Sequence, residues 1–291
     1  MPIGESRLIV AKLGPIMNWF ERCLFPRSPL VRFIIIVCLS TSFSFLLTGR
    51  QIFQANWSVI DDHEVFHYLG PDLHLAPSKI WSTLLEKTEV GTLQGRFRPG
   101  YYLIKVFETS FFGSNVHLWY LGNTIAFAIF LSSVWWLLCR FVGGWLSGVL
   151  TAFISILPLW SNVWSRLGPS EIGGAACVGV MLFAADAILF SDNPRTRNGS
   201  AVLLAASTIA LAGMKETFIP LSGGTAVIFT LAWMRRRLSP LLIAVLSLLV
   251  VAGLGGIVLV AMREMSDRGT DVYGNSAGSW PTIKFGIIGL F

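Results

Sequence analysis

A chain of 291 residues that is 54% hydrophobic and 13% charged, with mean hydropathy +0.66, has too few polar side chains to cover a water-soluble surface. Its apolar residues fall in blocks of roughly 16 to 24, the length a helix needs to cross hydrocarbon, and they lack the alternation of a transmembrane barrel. The net charge of +6 sits between these blocks, the pattern of loops that mark one side of a membrane, so no nucleic-acid partner is expected.

In chain order, residues 1–30 form a basic N-terminal segment, and the first apolar block, Val31–Thr48, has no small-x-small cleavage site before Arg50. It reads as a signal anchor. Further spans are predicted at Val116–Cys139, Gly144–Val163, Glu171–Ser191, Gly199–Met214, Thr217–Met234 and Ser239–Ala261. Residues 262–291 form a loop and the start of an eighth apolar run, Ile283–Phe291, so the chain reads either as a fragment or as a minimal form. The fold class expected is therefore all-α: a polytopic helix bundle of about seven spans plus a truncated eighth. Cys23, Cys38, Cys139 and Cys177 have neither metal-ligand spacing nor a place in a long loop, which argues against a disulfide framework or a zinc site.

Charge tests this order. With the N-terminus inside, the cytoplasmic segments carry Arg7, Lys12, Arg22, Arg27, Arg32, Arg140, Arg195, Arg197, Arg235, Arg236 and Arg237 against Glu5, Glu21 and Asp192. The short loops on the other side carry Arg166 and Lys215, as the positive-inside rule requires. The segment Gly100–Gly113 is apolar but short, and Lys105 and Glu108 lie near its middle; counting it as a span would turn the arginine run 235–237 outward. It is expected to lie in the membrane interface, as is Ser78–Val90, where Ile80, Trp81, Leu84, Leu85 and Thr88 form one stripe at helical spacing. Both belong to a first outer loop, 49–115. Within the spans Asp186 stands almost alone as an ionisable residue, which argues against an ion-coupled transporter with its midplane charges. The glycines at 173, 174, 223, 224, 253, 255 and 256 suit close helix packing.

Chemistry concentrates in the outer loop. IDDHEVFHYLG sets Asp61, Asp62 and Glu64 just after the first span. One reading is a solvated acidic patch; the other is that one carboxylate takes a proton from an attacking hydroxyl while another holds a metal or a neighbouring donor. Farther on, GRFRPGYYL carries Arg96 and Arg98 into the interfacial segment, which suits either bidentate capture of a phosphate or anchoring to lipid headgroups. WSRLGPSE, with Arg166 and Glu171, and KETFIP, with Lys215 and Glu216, fall on the same side; either also reads as a helix cap or an interfacial ion pair. His63, His67 and His74 share the loop, so a divalent-metal site that includes Asp62 and His63 is a further reading, without diagnostic spacing.

The order of these motifs resembles the N-terminal module of the GT-C superfamily of integral membrane glycosyltransferases, which includes protein O-mannosyltransferases and aminoarabinose transferases. IDDHEV after the first span, RFRPGYYL before a lipid-parallel helix, ILPLWSNVW, and KE after the fifth span carry the resemblance, over about residues 31–261. It implies a multi-pass enzyme, such as one of a bacterial inner membrane, that moves a sugar from a polyprenyl-phosphate-linked donor to a glycan, lipid or protein acceptor on the extracytoplasmic face, among membrane lipids. Under it Asp62, with Asp61 as rival, is the base or acceptor-positioning residue. Glu64 then orients the acceptor or a divalent ion, and Arg96, Arg98, Arg166 and Lys215, with Glu216 beside them, make up the substrate-binding set. The acidic motif here is Asp-Asp-His-Glu where the family has a simpler Asp-Glu pair, and the chain lacks the later spans of many relatives. Rival readings are a lipid-linked polysaccharide polymerase or ligase, whose functional loop lies late in the chain, and a transporter or flippase, which needs polar groups lining a path across the bilayer.

Overall fold

The computed structural model describes residues 28–54, 66–88, 90, 97–164 and 166–268. Among them every regular element is helical, and prolines and glycines punctuate the order. Helix α1 is Pro29–Gln54; a 3-10 turn, Pro77–Lys79, leads into α2, Ile80–Lys87; α3 is Pro99–Phe112; and α4 is Val116–Val142. Gly143 ends α4 at φ +82°, a conformation that L side chains rarely adopt, and α5, Gly144–Ser155, starts at once. Then come α6, Pro158–Trp164; α7, Ser170–Phe190; α8, Pro194–Met214; a 3-10 segment, Glu216–Leu221; α9, Ser222–Met234; and α10, Pro240–Arg268.

Among the described residues five segments are long and apolar enough to cross a membrane: α1, α4, α7, Glu216–Met234 and Pro240–Arg263 within α10. The chain is thus a membrane protein with transmembrane helices. Its exposed side chains agree, since Leu46, Phe53, Leu241 and Leu248 are each about two-thirds or more exposed, which hydrocarbon tolerates and water does not. Two of the expected spans differ from these five. Over 144–163 the chain forms a 12-residue helix and, after a break at Ile156 and Leu157, the short α6. Pro158 lacks the N–H that would continue α5, and its ring excludes the preceding turn. The stretch 199–214 forms the later part of α8, which starts at Pro194 and carries Arg195 and Arg197 in its first two turns. Its buried residues include Ala201, Leu204, Ala205, Thr208, Leu211, Ala212 and Met214, many of them small, so this helix buries a face against protein.

The two segments expected in the interface are both helical. At about 1.5 Å per residue, the 14 residues of α3 span about 21 Å, too short to cross, and α2 is shorter still. They pack on each other. Each buries one side, Ile80 and Leu84 on α2 and Tyr101, Tyr102 and Val106 on α3, while Trp81, Leu85 and Phe111 stay exposed.

The chain divides into two compact units. In the first, residues 1–61 and 115–203, α4 is central, with α1, α5 and α7 packed on it. Buried hydroxyls stitch α1 to α4: Ser44 Oγ donates to the Thr124 carbonyl at 2.8 Å, and the Thr48 and Thr124 hydroxyls are 2.7 Å apart. Such bonds hold helices together where lipid supplies no hydrophobic drive. In the second unit, residues 62–114 and 204–291, α2 and α3 form one part, and the end of α8, α9 and α10 the rest. There the Thr208 and Thr225 hydroxyls lie 2.6 Å apart, joining α8 to α9.

Candidate functional site

Asp61, Asp62, His63, Glu64 and Arg96, the acidic motif and the first of the paired arginines, lie outside the described residues. The chain that follows the acidic motif is anchored within the second unit. Lys87 Nζ, at the end of α2, donates to the His67 carbonyl at 3.2 Å, while Tyr68 and Leu69 are buried. A turn closes through Leu73 N–H to the Gly70 carbonyl at 3.0 Å, and Ser114 N–H, just past α3, donates to the Leu73 carbonyl at 3.1 Å. His67 and His74 are exposed, and among the described residues no three histidines, cysteines or carboxylates cluster to hold a metal ion.

Arg98 and Glu216, 118 positions apart, are brought together within the second unit by backbone packing. Pro99 sets the first residue of α3, and the Arg98 carbonyl accepts from Tyr102 N–H at 3.1 Å. Gly100 then lies flat against the end of α8. A Cβ on Gly100 would stand 2.9 Å from the Ala210 carbonyl oxygen, and one on Gly213 would stand 2.9 Å from Gly100 N. Only glycines allow two backbones this close. Two residues beyond Gly213, Lys215 is extended, at φ −163°, and Glu216 opens the 3-10 segment.

The outcome is a loose ion pair. Arg98 Nε and Glu216 Oε2 are 4.0 Å apart, with the side chains 15% and 31% exposed. Arg98 Nε is buried and has no hydrogen-bond acceptor among the described residues. An arginine that merely anchored to headgroups would extend its guanidinium into water; this one is largely covered. Lys215 is half-buried in the same unit.

Arg166 belongs to the first unit and is exposed. Its backbone is pinned, because buried Asn123 on α4 donates from Nδ2 to the Arg166 carbonyl at 3.0 Å. On either side of it, Trp164 stacks on Phe127 at 4.2 Å between ring centroids, and Leu167 is buried. The nearby acid Glu171 sits in the first turn of α7, where a carboxylate favours the helix dipole.

One charged cluster escapes sequence reading. Asp186 on α7, buried in the first unit, accepts from Arg140 Nε at 2.8 Å, from Arg140 Nη2 at 3.0 Å and from Trp136 Nε1 at 2.8 Å. The Arg140 guanidinium also lies 5.0 Å above the Phe190 ring. A single acid in an apolar block, with an arginine ending the block two before it, was the signal available. Reading Arg140 only as a topology marker passes over it.

Comparison with protein-family models, with curated proteins and with solved structures finds no match to this chain.

Proposed function

We propose that the chain is a membrane glycosyltransferase that moves a sugar from a polyprenyl-phosphate-linked donor to a hydroxyl of a glycan, lipid or protein acceptor at the extracytoplasmic face. In this reading the N-terminus is cytoplasmic, α5 with α6 and α8 complete seven spans, and α2 and α3 rest in the interface. The motif order described above is the basis for the sugar chemistry.

The observation that carries the reading is the state of Arg98, a guanidinium largely removed from water at the start of a lipid-level helix, whose Nε has no acceptor among the described residues. A buried donor left unmade is costly, and a guanidinium presents Nε and Nη as a fork that matches two phosphate oxygens. With half-buried Lys215 on the same unit, the cations suit a phosphate at the depth of a lipid headgroup.

The proposed step needs one base and one stabilised leaving group. The Asp62 carboxylate accepts the proton of the acceptor hydroxyl as that oxygen bonds to the anomeric carbon of the sugar. The bond from that carbon to the phosphate oxygen breaks, and the lipid phosphate leaves with the electron pair, its charge met by Arg98 and Lys215. Asp61 and Glu64 would orient the acceptor. Transfer from a radiolabelled polyprenyl-phosphate sugar is expected to vanish in Asp62→Asn with membrane insertion intact. Full activity there would reject Asp62 as base, and the same change at Asp61 ranks the pair.

A further inference from the structure

We propose that Glu216 is a resident counter-ion of Arg98 that gives way to an incoming phosphate group, so that it tunes the affinity of the site without itself being a ligand. The inference rests on Arg98 as the phosphate-binding residue proposed above.

Three observations lead there. The Arg98 to Glu216 separation of 4.0 Å lies beyond hydrogen-bond range, so the carboxylate offsets the charge without taking up the Nε donor, which has no acceptor among the described residues. By contrast, Asp186 takes two donors of Arg140 at 2.8 and 3.0 Å. That contact leaves no room for a second oxyanion on the same edge. Exposure is also unequal: the Glu216 side chain is 31% exposed and that of Arg98 is 15% exposed, so the carboxylate has the readier path to water. Finally, the close approach of Gly100 and Gly213 holds the two backbones in register. With both backbones fixed, the more exposed carboxylate is the group with room to rotate toward water.

A phosphate seated on Arg98 would meet a full negative charge on Glu216 within a few ångströms. Like charges disfavour such a complex, and the penalty vanishes when the carboxylate becomes an amide. Glu216→Gln should accordingly bind farnesyl phosphate about tenfold more tightly than the wild type, whereas Arg98→Gln should bind it at least about tenfold more weakly.

The test is equilibrium binding to the full chain purified in detergent. The probes are farnesyl phosphate, phosphatidic acid and inorganic phosphate, with farnesol as the uncharged control. A gain in Glu216→Gln on all three phosphates, absent for farnesol, supports the inference and assigns recognition to the phosphate group. A gain limited to the two lipid phosphates supports it with a lipid-borne source. Glu216→Asp, which keeps the charge, should match the wild type, and helical circular dichroism should be unchanged throughout. If Glu216→Gln binds no more tightly while Arg98→Gln weakens binding, the counter-ion role is overturned and Arg98 keeps its part. If Arg98→Gln leaves binding unaltered, the phosphate reading of Arg98 falls as well.

Discussion

Each unit contains an arginine and a carboxylate held together across helices, and the two pairs are built in opposite ways. In the first unit Asp186 is surrounded by donors, two from Arg140 and one from Trp136, all within 3.0 Å. In the second, Arg98 and Glu216 face each other at 4.0 Å, and Nε has no hydrogen-bond partner among the described residues. A buried charge needs its hydrogen bonds completed, and the first pair completes them internally, locking α4 to α7. The second pair leaves the buried Nε of Arg98 without an acceptor among the described residues. The closed pair ties two helices together, and the open one makes no hydrogen bond of its own.

This contrast can be broken most severely at Arg140. Arg140→Ala leaves the Asp186 carboxylate buried with Trp136 as its remaining donor, and is expected to lower stability by about 3 kcal/mol. Unfolding in mixed detergent would measure it, and the double change Arg140→Met with Asp186→Leu should regain most of the loss. An Arg140→Ala protein as stable as the wild type would show that the closed pair holds nothing.

The next effect is expected at the glycine contact that frames the open pair. Gly213→Val drives a side chain into the backbone at Gly100 and should cost about 2 kcal/mol. Gly255→Ala, where nothing lies within 4 Å, should stay within about 0.5 kcal/mol of the wild type. Equal thermal shifts for the two would contradict the close approach that sets Arg98 beside Glu216.

Smallest of all should be the stability change on opening the loose pair itself. Glu216→Gln is expected to move the unfolding free energy by no more than about 0.5 kcal/mol, because an ion pair at 4.0 Å with partial exposure contributes little. A loss near that of Arg140→Ala would place both pairs in the same structural class and remove the contrast.

Much of the architecture was legible in one dimension. Apolar block length predicts the presence of α1, α4, α7 and α10, because crossing hydrocarbon imposes a length on the sequence itself, although α1 and α10 run several residues past the apolar blocks. The amphipathic stripe over 78–90 and the charged, short segment 100–113 likewise announce α2 and α3. Pro158 interrupts the apolar run 144–163 that block length predicts as one span, because hydropathy does not register a missing backbone N–H. For the candidate site, residue types and their order picked out Arg98, Arg166, Lys215 and Glu216, but their partners could not be read. Charge pairing depends on which helices become neighbours.

The sequence by itself determined that this is a helical membrane protein, because hydropathy and block length are properties of consecutive residues facing one solvent. Tertiary structure alone decided that Gly100 meets Gly213 and thereby sets Arg98 near Glu216, and that Arg140 closes on Asp186. Those contacts join residues more than 40 positions apart, and they arise from helix packing, which no local pattern encodes.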